Sequence, residues 1–311
     1  MRRWPPRLFL IAVLFAGMAV ADVARDSAHP LLDLARQLES ERGRDRDKNP
    51  GLARQGPGVS EATHLLEQAH APPAGECAGT IGATRYAGLY QALGFARGDQ
   101  GDFTGAAAEY RKALDCRPHD PDILTRLASA SFDARDFAGA RAAIDASLAL
   151  DPRSVTANRN AGNLDFIEER WADAIARFRY VASSDEDRVR ASYGQLMYWL
   201  AQRRGGVSKP EMVTRTPGEG WPQPLLLYMR GKYTEAELLT PIRSGDEDSN
   251  TQPDTNTDER LCEALYYVGE EYWARGHPEV AREYFAALVN IKIVAFIEHG
   301  MALAEITKLA Q

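Results

Sequence analysis

Residues 99–118 read DQGDFTGAAAEYRKALDCRP, and residues 133–152 read DARDFAGARAAIDASLALDP. Phe103 recurs as Phe137, Ala106 as Ala140, Leu114 as Leu148 and Pro118 as Pro152, always 34 positions apart. Blocks 87–120, 121–154 and 155–188 follow one another at this period without a gap. Counted from the start of each block, position 8 is Gly94, Ala128 and Gly162, and position 20 is Ala106, Ala140 and Ala174. Position 17 is Phe103, Phe137 and Trp171, and position 24 is Tyr110, Ile144 and Phe178. Helical periodicity, broken near position 15 by Gly101 or Arg135 and ended near position 32 by Pro118 or Pro152, gives two helices per block joined by a tight turn. Small residues let the paired helices approach closely, and a bulky residue fills the space beside each of them. One such hairpin cannot bury its apolar face alone, so the copies must stack.

This pattern resembles the tetratricopeptide repeat, with small residues at 8 and 20, aromatics at 17 and 24, and proline at 32. The resemblance implies an all-α solenoid, a right-handed superhelix of antiparallel helix pairs. The array continues in altered form. Residues 189–203 read as a helix, and WPQPLLLYMRGKYTEAELL (221–239) places Gly231, Tyr233 and Ala236 in the spacing of positions 15, 17 and 20, its first helix shortened by Pro222 and Pro224. SGDEDSNTQPDTNTDE (244–259) reads as a linker. A last block begins at Cys262, with Gly269 at position 8, Gly276 at 15, Ala281 at 20 and Phe285 at 24, and 294–310 is the helix expected to close the stack.

Within 221–306 the chain further resembles the periplasmic adaptor family of new lipoprotein I, in Trp221-Pro222 ahead of Gly231, in YYVGEEYWARGHPEVAREYF and in the final IEHGMALAEI. That resemblance implies a docking platform for a processing protease or cell-wall hydrolases. The chain departs from it in lacking a lipidation cysteine and over residues 22–86.

The first 21 residues form a basic start with Arg2, Arg3 and Arg7, an apolar run from Leu8 to Val20, and Ala19-Val20-Ala21 as a small-x-small cleavage site. This reads as a secretory signal, because the run is shorter than the roughly 20 residues needed to span a bilayer. Its removal takes three arginines and no acid, moving the formal charge from −7 to −10. An acidic chain of this kind is a poor match for nucleic acid, which is held by clustered Lys and Arg. The expected compartment is the periplasm, without lipidation or membrane insertion. The domain reading is therefore a signal at 1–21, a helical and linker region at 22–86, three repeats at 87–188, an irregular helical segment at 189–261, and a terminal repeat with its cap at 262–311. Within 22–86, residues 30–41 and 60–71 carry helical spacing around a charged linker.

No catalytic or cofactor motif accompanies the repeats. The six histidines lack metal-ligand spacing, Glu298-His299 reads as a surface or packing pair, and there is neither a GxSxG elbow nor a phosphate-binding glycine loop. Asp254, Asn256 and Asp258 open like a calcium loop, but Glu259 stands where glycine is needed and Leu265 where a bidentate glutamate belongs. The stretch reads instead as a solvated acidic linker whose Thr257 or Asp258 caps the next helix. No metal and no cofactor are expected.

Cys116, at the end of a second helix, and Cys77, ten residues before the first block, are expected to meet in a disulfide that closes the N-terminal edge, with Cys262 a buried thiol outside the pair. The resemblance places groove-facing residues at positions 2, 5, 6, 9, 12 and 13. These are Gln91, Phe95, Thr125, Arg126, Phe132, Asp133, Arg159, Asn160, Asn163, Phe166 and, in the next block, Arg190. Arg159 and Asn163 lie one helical turn apart and point the same way, suited to a peptide carboxylate or backbone. Gly194 does not supply the remaining polar position of a carboxylate clamp, so a general peptide groove is the wider reading. The function expected is a non-catalytic periplasmic scaffold for a protein or peptide of the cell envelope. A secretion or pilus assembly factor on the same scaffold is the alternative, with an enzyme whose site lies in the N-terminal region or loops as a remote one. A homodimer is compatible with either.

Overall fold

The computed structural model describes residues 29–37, 77–79, 82–184, 187–213, 220–244, 253–291 and 297–310. The signal segment and residues 60–71 lie outside them. Among the described residues there are thirteen helices and no strand. Helix α1 covers 30–37. The three repeats supply α2 (Ala83–Asp99) with α3 (Phe103–Cys116), α4 (Pro121–Asp133) with α5 (Phe137–Leu150), and α6 (Val155–Ile167) with α7 (Trp171–Ser184). Then come α8 (Arg188–Arg204), the seven-residue α9 (Gln223–Met229), α10 (Glu235–Ser244), α11 (Pro253–Ala274), α12 (Pro278–Ile291) and α13 (Ile297–Leu309). Consecutive helices from α2 to α8 pack against one another as antiparallel pairs, and α4 also touches α6 across the repeats.

Local chemistry sets these boundaries. Asp120, Ser154 and Asp187 accept backbone N–H bonds at the starts of α4, α6 and α8, while Asp102 and Asp136 do the same for the second helices α3 and α5. The turn at position 15 takes a left-handed backbone in every repeat, at Gly101 (φ 81°), Arg135 (φ 63°), Glu169 (φ 59°) and Gly276 (φ 88°). Small position 8 and bulky position 24 meet as the period requires. A Cβ on Gly94 would lie 2.9 Å from the Tyr110 ring, on Gly162 2.9 Å from Phe178, and on Gly269 2.9 Å from Phe285.

One feature differs from the sequence reading and two add to it. Helix α11 begins at Pro253 inside the expected linker, so 257–258 are mid-helix and neither residue caps it. Helix α13 packs on α12, as a closing helix does, and also turns back onto α6 and α4. Arg135 donates to the Thr307 hydroxyl at 3.3 Å, Lys308 lies 3.4 Å from Glu169, and a Cβ on Gly300 would lie 3.0 Å from Asp133. Helix α1 packs onto the far end of the array. Leu31 donates its N–H to Glu235 at 3.0 Å, and His29 sits edge-on to Tyr272 and Tyr284. Leu31 and Leu32 are buried there, which accounts for the apolar face of 30–37.

Cys77 and Cys116 form a disulfide (Sγ–Sγ 2.03 Å, 39 residues apart), and Cys262 is buried outside it. Closing a loop of that length contributes roughly 3–4 kcal/mol by restricting the unfolded chain. Thiol titration of the unfolded, unreduced protein is expected to find one reactive thiol, and three would contradict the pairing.

Candidate functional site

The first helices of the repeats line one face of the solenoid, and α13 lies across it. Two adjoining hollows remain, sharing Ser129 and Asp133. The outer one, about 340 Å³, is lined by Phe95, Tyr110, Thr125 and Arg126 among others. Phe95 is 64% exposed, unusual for a side chain of its size. The inner one, about 390 Å³, lies between α4, α6, α8, α11 and α13. Arg159, Asn160 and Asn163 face Glu263 on α11 and Glu298 on α13 across an apolar wall that includes Phe178, Met197 and Met301.

The expected groove residues therefore divide. Phe95, Thr125 and Arg126 line the outer hollow, and Arg159, Asn160 and Asn163 the inner. Gln91 is half-buried and lines neither, and Arg190 is exposed in the first turn of α8, 3.7 Å from Asp187. Phe132 and Phe166 are corrections: both are buried in the core, at 4% and 0% exposure. Position 12 lies one turn after small position 8, on the stripe that faces the partner helix. Phe132 accordingly packs on Phe137 with ring centroids 5.5 Å apart, and Phe166 on Trp171 at 5.2 Å.

The inner hollow carries the unusual electrostatics. Glu263 Oε2 accepts from the Tyr193 hydroxyl at 2.7 Å and from Trp221 Nε1 at 2.5 Å. Burial, reinforced by nearby Glu298, pushes the Glu263 carboxyl up to about 8. Burial also raises Glu298, against the opposing pull of Arg159, and pushes Asp133 up to about 7. Glu298 and His299 are both buried, so the packing side of that pair's reading holds while the surface side does not.

These shifts give stability a definite pH dependence. A carboxyl whose folded value lies above its unfolded one holds more protons in the folded state, so its contribution is present at low pH and lost as pH rises through the folded value. For Asp133 and Glu263 that loss begins at about pH 4, where the unfolded carboxyls ionise, and is complete just above their folded values of about 7 and about 8. Groups with lowered values, such as Asp102 and Asp187, act only at more acidic pH. Urea unfolding is expected to show greater stability at pH 6 than at pH 8.5, with a shallower slope in Glu263→Gln. A slope unchanged in that variant would contradict the assignment.

Sequence reasoning missed Glu263 and Glu298. Glu263 is position 2 of the last repeat, a groove-facing position, so the repeat pattern does carry a signal for it. Glu298 lies on the returning helix, which has no repeat register. Among the described residues no group of three metal-binding side chains converges, and no helix is long and apolar enough to cross a membrane.

The tetratricopeptide repeat family matches residues 92–155, from within α2 to the start of α6. The fold is a tetratricopeptide-type helical solenoid. Repeats of this type generally mediate contacts between proteins. The matched stretch contains the outer-hollow residues Phe95, Thr125 and Arg126, whereas Arg159, Asn160 and Asn163 lie beyond it.

Proposed function

We propose that the protein is an exported, non-catalytic scaffold that binds another protein of the cell envelope at the outer end of its concave face. The observation that carries this reading is Phe95, exposed beside Arg126 in a hollow on the face that such repeats use for partners. An aromatic anchor flanked by a guanidinium is the residue pairing that interfaces favour. Export is supported by the leader-like first 21 residues and by the Cys77–Cys116 pair, which belongs in an oxidising compartment. The resemblance of 221–306 favours a processing protease or a cell-wall hydrolase as partner.

The inner hollow is a poor carboxylate clamp, because a peptide's C-terminal carboxylate at Arg159 would meet Asp133, Glu263 and Glu298 as well. Affinity capture from crosslinked envelope extract tests the reading. Wild type is expected to enrich one protease or hydrolase, Phe95→Ala/Arg126→Ala to lose it, and Arg159→Ala to retain it. Equal enrichment by all three proteins would overturn the outer site.

A further inference from the structure

We propose that the inner hollow is a binding site for an organic ammonium group attached to an apolar body. Its volume of about 390 Å³ lies within the range of pockets that enclose small organic molecules, about 300–1,000 Å³. Three carboxyl groups, Asp133, Glu263 and Glu298, face it from three helices against one guanidinium, Arg159. Elsewhere in the array, several buried carboxylates meet cations directly. Asp165 has Arg141 at 2.8 Å and Arg177 at 3.0 Å, Glu271 has Arg203 at 3.2 Å, and Asp120 has Arg117 at 2.7 Å. The hollow thus holds three carboxyl groups to one cation, and desolvated carboxylates gain most from an entering cation.

A second observation is independent of the acids. Asn163 is 4% exposed, lines the hollow, and its carboxamide has no hydrogen-bond partner among the described residues. Buried amides are ordinarily satisfied, so one aimed into a cavity marks a place for a ligand's polar atom. Its carbonyl oxygen can accept an ammonium N–H beside the carboxylates, while Met197 and Met301 offer adaptable apolar contact for the rest of the molecule.

The same chemistry is presented by a free amine and by a lysine side chain. Isothermal titration of the protein at pH 8 with phenethylamine and with Nα-acetyl-lysine methylamide, against phenethyl alcohol and phenylacetate, separates the cases. Saturable binding of either amine, with both controls silent, is expected. Tighter binding of the lysine amide assigns the site to a partner's side chain, and tighter binding of phenethylamine assigns it to a free amine. Glu298→Gln should weaken amine binding by about tenfold, the loss of one buried ionic contact. Asn163→Leu, which fills the hollow with an apolar side chain, should abolish binding with the melting temperature unchanged or raised. Binding of phenylacetate or phenethyl alcohol as strong as the amines', or amine binding unaffected by both variants, would overturn the proposal, as would no binding of any probe.

Discussion

Gly162→Leu is expected to lower the unfolding free energy by about 3 kcal/mol, at the upper end of what overpacking costs. Even one added carbon at this position would lie 2.9 Å from both Cε1 and Cζ of Phe178. That ring is fully buried in a close-packed interior. Leucine adds three more carbons, so α6 and α7 must separate, and in a stacked array the displacement passes to α8. Gly88→Ala in α2 is the matched control, since nothing lies within 4 Å of its Cβ. It should stabilise by about 0.5–1 kcal/mol through helix propensity alone. Urea unfolding followed by far-ultraviolet dichroism distinguishes them. An unchanged midpoint for Gly162→Leu would mean that the repeat register is wrong.

Arg204→Ala is expected to be at least as damaging, at about 3–5 kcal/mol, because it strips the cation from a buried charge cluster. The Arg204 side chain is 6% exposed, ion-paired to fully buried Glu270 and 3.7 Å from Glu305. Its guanidinium lies 3.6 Å from the Trp273 ring centroid and 5.3 Å from that of Trp171. It therefore ties the third repeat, α8 and the terminal repeat to the returning helix α13. Burial already holds the Glu305 carboxyl up at about 8, and burial raises Glu270 as well. Without Arg204 both would rise further. Because both carboxyls are raised, the variant's deficit should accordingly be smaller at pH 5 than at pH 8. Arg204→Lys should fall between, keeping the charge and losing the planar stacking. A deficit equal at both pH values would contradict this account of the cluster.

The hairpins were legible because their determinants are local. Gly162 and Phe178 lie sixteen positions apart in one repeat, and the 34-residue period states their pairing several times over. Position 12 was misread because Phe132 and Phe166 lie between two roles. Their sequence position sits beside groove-facing neighbours, but the i, i+4 relation to position 8 turns them inward. The returning helix was not legible, since Gly300 meets Asp133 across 167 positions with no repeated pattern to register the contact. The docking of His29 against Tyr284, 255 positions away, is equally invisible to periodicity. Half of the inner hollow was named from the repeats through Arg159, Asn160 and Asn163. Its acidic half depends on α11 and α13 folding back, and that closure gives the hollow its charge.

Site-specific photocrosslinking in the living cell tests the concave face most directly. A benzophenone amino acid would replace Phe95 in one variant and Leu150 in another, both large exposed apolar positions, with Leu150 at the end of a second helix and away from the hollows. A discrete crosslink to one envelope protein is expected from position 95 and none from position 150. A crosslink from position 150 alone, or none from position 95, would contradict this expectation.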